Sequence, residues 1–145
     1  MSAERRADAI WEGSLFEGSG RVTLATGVAG ELPVTWAART ESADGKTSPE
    51  ELIAGAHAAC FAMALSGALA RAGQAPRRLD VGATSTFDKT DEGWRVTKMN
   101  LEVRGDVPGM DASEFEKHAE GAKEGCPVSN ALKGNVEITL KASLT

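Results

Sequence analysis

The chain has little with which to bind a polyanion, cross a membrane or hold a metal. Its 145 residues carry 16 lysines and arginines against 21 aspartates and glutamates, a net charge of −5, and no basic run exceeds the pair Arg77-Arg78. That balance argues against nucleic acid as a partner. No segment approaches ~18 uninterrupted apolar residues. The N-terminal MSAERRADAIWEG lacks the apolar stretch of a signal peptide. A cytoplasmic protein with no membrane partner is therefore expected. Internal repeats and low-complexity segments are absent, and this length suits one domain, residues 1–145. Cysteines number two, Cys60 and Cys126, and histidines two, His57 and His118. Without Cys-x-x-Cys spacing they make a poor zinc set, and neither metal nor other cofactor is expected. In a reducing compartment a lasting structural disulfide is disfavoured, whereas a transient catalytic one is permitted.

What is present reads as α+β, with helices packed on a largely antiparallel sheet. DAIWEG, RVTLATG and LPVTWAAR read as three short strands separated by turns. Ser48-Pro49-Glu50-Glu51 is a capping box with proline at the first helical position. It opens a helix expected to run to about Arg71, with Gly73 ending it. That helix is rich in Ala and Gly on every face, which predicts burial and close approach of another element. RLDVGATSTFDK and WRVTKMNLEVRGDV read as two long strands joined at TDEG. Asp111 to Glu114 is a second capping box, with Met110 and Phe115 as a hydrophobic staple. Cys126-Pro127 restarts a short helix, and NVEITLKASL alternates as a final strand. The predicted order is βββ-α-ββ-αα-β.

The two cysteines admit two readings. Free cysteines are among the most buried residue types, and two inert core thiols are the plain one. The sharper one is thiol chemistry between segments that folding brings together. A thiol reacts as thiolate, so what matters is what lowers each pKa. Cys126 precedes Pro127 and so caps a helix, where backbone N–H groups favour an anion. Cys60 lies about three turns into its helix, and a cation would have to come from elsewhere. The candidate is Arg39, the nearest upstream arginine, whose fork could hold a carboxylate while facing the sulfur. Glu51 is committed to the capping box, which leaves Glu50. Glu50 and Cys60 are ten residues apart, ~15 Å of rise in a straight helix. Either the helix breaks, or Glu50 serves the Cys60 of a second chain, which predicts a dimer with shared sites. His57 lies one turn before Cys60, as a nucleophile's base or as a satisfied core histidine. His118 falls in a charged amphipathic helix and reads as solvated. Trp11, Trp36 and Trp94 read as core, and the Gly18/Gly20 pair is too weak for a phosphate site.

SPEELIAGAHAACFAMALS, VPGMDASEFE and AKEGCPVSNALKG together resemble the OsmC/Ohr family of osmotically inducible and organic hydroperoxide resistance proteins, the OsmC branch most closely. Weaker likeness extends over nearly the whole chain. The resemblance implies the OsmC-like fold, with a long buried central helix in an intertwined homodimer. It implies a thiol-dependent peroxidase acting on organic hydroperoxides and, less efficiently, on hydrogen peroxide, with an external dithiol as reductant. By motif, Cys60 matches the peroxidatic cysteine and Cys126 the resolving one, with a disulfide between them as the product. Glu50 matches the family's glutamate and Arg39 its arginine, Arg21 being the alternative. A stress or carrier protein that binds an apolar ligand with inert cysteines is the rival expectation. A hydrolase using His57 and Cys60 is a weaker one.

Overall fold

A computed structural model describes residues 1–145 as two compact units, Met1–Leu52 and Ile53–Thr145. The first unit holds an antiparallel sheet of β1 (Ala7–Glu12), β2 (Ser19–Leu24) and β3 (Glu31–Val34) in sequential order. Ala7 pairs with Leu24, and Gly20 pairs with Val34. All of β1 is exposed, and Glu50 is the one buried residue in the whole unit.

The expected third strand stops short. LPV is strand, but Trp36–Thr40 forms a short helix, α1. Thr35 stays extended, and its hydroxyl accepts from the Ala38 N–H at 3.1 Å. That cap precedes Ala37, Ala38 and Arg39, all good helix formers, and together they override continuation of the strand. The order is thus βββ-αα-ββ-αα-β.

Helix α2 runs unbroken from Pro49 to Arg71. Its N-terminus keeps half of the expected box. The Glu51 N–H donates to Ser48 Oγ at 3.1 Å, but the Glu51 carboxylate takes the Thr47 hydroxyl at 2.8 Å. The C-terminus is a Schellman turn: Gln74 N–H reaches Leu69 C=O at 2.9 Å and Gly73 N–H reaches Ala70 C=O at 3.0 Å. Gly73 has φ of +80°, which a side chain would resist. By length and composition α2 could cross a membrane. Here its stripe Ala54, His57, Phe61, Leu65, Leu69 is buried instead in the core of the second unit. The expected burial on every face is not met within the chain. Gly55, Ala56 and Ala59 are exposed, and Met63 is 69% exposed.

In the second unit β4 (Arg78–Thr90) and β5 (Gly93–Asp106) form a long hairpin with an irregularity at Thr86/Phe87. β5 turns Met99, Leu101 and Val103 inward and Lys98, Asn100, Glu102 and Arg104 outward. The last strand, β6 (Glu137–Leu144), pairs with β5 in parallel, Met99 opposite Ile138 and Leu101 opposite Leu140. Two helices between β5 and β6 return the chain to the same end, which makes the parallel pairing possible. They are α3 (Ala112–Gly125) and α4 (Pro127–Leu132). Asp111 caps α3 in a complete box, and the staple residues Met110 and Phe115 are both buried. Phe115 lies against Gly105, where an added Cβ would come within 2.6 Å of the ring. Each fully buried side chain of this core contributes ~1.5–3 kcal/mol. Two tryptophans depart from expectation. Trp11 and Trp94 are more than two-fifths exposed, Trp94 stacking on Phe87 at 4.9 Å.

Candidate active site

Cys126 is placed by the helix before it. Phe115, Ala119 and Ala122 are the buried residues of α3, and Cys126 continues their 4-3-4 spacing on the same face. It closes α3 and opens α4, with Pro127 at the first helical position, and it is 0% exposed. Cys60 sits beside the buried stripe of α2, partly exposed. Both thiols are free and belong to one core cluster, where each acts on the other's acidity.

Their surroundings act in opposite directions. Burial pushes the Cys60 thiol up, the neighbouring Cys126 pushes it further, and only the Val128 N–H pulls the other way. Burial also pushes Cys126 up, more strongly than any other single influence. It is outweighed by the Ser129 N–H, the Cys60 thiol, the Ser129 hydroxyl and the Val128 N–H, and Cys126 ends below the usual thiol value. Neither backbone N–H makes a cap bond to the sulfur. They favour the anion by facing it. Within the second unit Cys126 is the more acidic thiol, as its position before Pro127 predicts, and Cys60 the more accessible.

The first unit contributes a second pair. Arg39, in the last turn of α1, grips Glu50 at the start of α2. Its Nε lies 3.1 and 3.2 Å from the two carboxylate oxygens and its Nη2 lies 2.9 Å from Oε1. Glu50 is 6% exposed, and the Arg39 side chain is 31% exposed. The guanidinium also stands 5.9 Å from the Trp36 ring centroid. Arg21 is engaged elsewhere, 3.5 Å from Glu12 and 3.4 Å from Glu31, and is half-buried. Of the two candidate arginines, Arg39 is the one on Glu50.

His57 is fully buried, and its Nε2 lies 2.7 Å from Ser129 Oγ. It makes no bond to Cys60, which removes the geometry of a His57–Cys60 nucleophile pair. Ser129 was not among the expected site residues. His118 is half-buried on α3, and no group of three or more His, Cys, Asp or Glu is arranged to hold a metal.

The chain matches the profile of OsmC-like proteins over residues 42–141. It is 44% identical over 144 residues to the peroxiredoxin OsmC of Escherichia coli, covering 99% of both chains. It is 34% identical over 107 residues to the organic hydroperoxide resistance protein OhrA of Bacillus subtilis, covering 72% of this chain and 73% of that one. The crystal structure of an organic hydroperoxide resistance protein from Elizabethkingia anophelis superposes with a TM-score of 0.79 at 27% identity over the full length of both chains.

Proposed function

Because the chain belongs to the OsmC-like protein family, we propose that it is a thiol-dependent peroxidase. Its substrates are organic hydroperoxides and, less efficiently, hydrogen peroxide, in defence against oxidative and osmotic stress. The observation that carries this reading is that folding brings Cys60 and Cys126, two free thiols from distant segments, into one core cluster, where each acts on the other's acidity. Access orders their roles. Cys60 is partly open to an incoming peroxide, and Cys126 is sealed.

The Cys60 thiolate attacks the distal peroxide oxygen. An S–O bond forms, the O–O bond breaks, and the leaving alkoxide takes a proton to become alcohol. Cys126 then attacks the sulfenic sulfur, forming the disulfide and releasing the hydroxyl as water. An external dithiol restores both thiols by exchange.

Cys60 needs a cation that its own surroundings do not supply, and the assigned cation is Arg39, oriented by Glu50. We place this pair at the Cys60 of a second copy, in an intertwined homodimer. Three features support that placement. Helix α2 is unbroken, so Glu50 and its own Cys60 are separated by ~15 Å of helical rise. The Met1–Leu52 unit buries no apolar side chain, while Ile10, Trp11, Leu15, Phe16 and Val28 stand exposed, too much to leave uncovered. Helix α2 also presents a free face of Gly55, Ala56, Ala59 and Met63.

The test is a count of free thiols before and after one equivalent of an alkyl hydroperoxide. The peroxidase loses both thiols of each chain and regains both with a dithiol. A carrier with inert cysteines keeps them, and that result would overturn the reading.

A further inference from the structure

His57 takes part in none of the steps above, yet it is held in an unusual way. Its Nε2 lies 2.7 Å from the Ser129 hydroxyl, and Ser129 is only 5% exposed. Its other ring nitrogen, Nδ1, is buried with no hydrogen-bond partner. Burial pushes the His57 pKa below its ordinary value, so the ring is neutral at neutral pH and carries a single N–H. An orphaned buried N–H is the rarer and costlier arrangement. The proton therefore belongs on Nε2 and the bare lone pair on Nδ1. Nε2–H donates to Ser129 Oγ, so the serine cannot give its own proton to the histidine. The Ser129 O–H is left to turn toward Cys126, the cap residue one helical turn before it, whose pKa the hydroxyl lowers.

We infer that His57 is a positioning residue for the second thiol: it fixes the direction of the Ser129 hydroxyl, so that the chain Nε2–H···Oγ–H···Sγ presents a donor to Cys126. In the resting thiol the hydroxyl's one bond is to His57, and its O–H closes on Cys126 when the sulfur carries charge. Charge arises there twice if the peroxidase reading holds, on which this consequence rests. When Cys126 attacks the Cys60 sulfenic acid, its proton leaves, an S–S bond forms, the S–O bond breaks, and the departing hydroxide takes up one proton as water. When a dithiol thiolate attacks the Cys60 sulfur of the disulfide, the S–S bond breaks and Cys126 departs with the electron pair. In both steps the relay donates without His57 changing its own protonation.

The other groups acting on Cys126 are Cys60 from α2 and the Val128 and Ser129 amides of α4. On α3 the nearby Lys123 is engaged by Glu120 at 2.9 Å and by Glu124 at 4.0 Å. The thiolate absorbance of a Cys60→Ser background, titrated against pH, reports Cys126 alone. Ser129→Ala and His57→Met should each move that titration upward by about one pH unit. The double variant should move it no further than either alone, because the two residues act as one unit. His57→Gln restores an amide N–H near the Nε2 position and should return the titration toward its starting point. An unmoved titration in Ser129→Ala overturns the relay, as does a His57→Met shift that adds in full to that of Ser129→Ala. Should His57→Met not fold, Ser129→Ala and His57→Gln decide, and equal shifts in those two overturn it. No peroxide enters the measurement, so failure of the relay and failure of the peroxidase reading are told apart.

Discussion

Two inactive variants, Glu50→Ala and Cys60→Ser, can be unfolded together, refolded and assayed for peroxide consumption. Glu50 is the better half of its ion pair to remove. Taking away Arg39 would strand a carboxylate only 6% exposed, a change that costs up to ~3–5 kcal/mol for a buried pair. Taking away Glu50 leaves a guanidinium that is 31% exposed and can be rehydrated. If Glu50 of one chain completes the site of the other, each mixed dimer has one site with both substitutions and one with neither. Random mixing makes about half the dimers mixed, each with one intact site of two, so activity should recover to about a quarter of wild type in a two-fold assembly. If Glu50 acts at its own chain's thiols, every site carries one substitution and mixing restores nothing. That result would refute the shared site. Glu50→Ala alone must first be shown nearly inactive.

Other outcomes follow from the same geometry. Cys126→Ser should consume one equivalent of peroxide and then stall as a sulfenic acid or oxidise further, seen by intact mass, whereas Cys60→Ser should consume none. His57 has its pKa lowered by burial, so in acid the unfolded chain binds a proton that the folded chain does not. Stability should therefore be intact above about pH 6.5 and fall as pH drops below it, and His57→Gln should flatten that part of the urea-midpoint profile relative to wild type. Gly105→Ala should cost ~1–3 kcal/mol in denaturant unfolding, because its Cβ would meet the Phe115 ring at 2.6 Å. Trimming the ring as well, in Gly105→Ala with Phe115→Leu, should cost less than the sum of the two single changes.

The parts of this fold that declared themselves in sequence are those written in local chemistry. Asp111 and Glu114 state where α3 begins, Gly73 states where α2 ends, and the alternation from Val136 to Leu144 states which face of β6 is inward. What alternation does not state is the partner, so the parallel pairing of β6 with β5 had to come from the structure. Helix α1 escaped because one turn of five residues is too short to show a period, and TWAAR reads as a continuation of LPV. Its sole signal was Thr35, a helix cap in a strand-like context. The site divides in the same way. Cys126 before Pro127 carries its meaning locally, and so does the Pro-Glu at the start of α2. Ser129 carries none, since a lone serine in a short helix gains significance only from His57, 72 positions earlier.

On the proposed reading, acidity and access fall on different thiols, and the order of steps explains why. The attacking sulfur must meet a substrate arriving from solvent, so it needs an approach. An open and permanently acidic thiol, however, is exposed to every passing oxidant. Cys60 has the approach but no acidifying group in its own surroundings. Its reactivity is then conditional on Arg39 and Glu50 arriving from another chain. Cys126 meets only the sulfenic sulfur beside it, so it can be sealed at no cost to its task. Its lowered pKa serves the reaction at the other end, because an acidic thiol is the better leaving group when the disulfide is reduced. A separated chain should accordingly hold both thiols in one core and still be a slow peroxidase. The rate of Cys60 alkylation at neutral pH, followed as the protein is diluted through its dissociation range, should fall with the assembly. A rate that holds constant through dissociation would mean that Cys60 draws its activation from within its own chain.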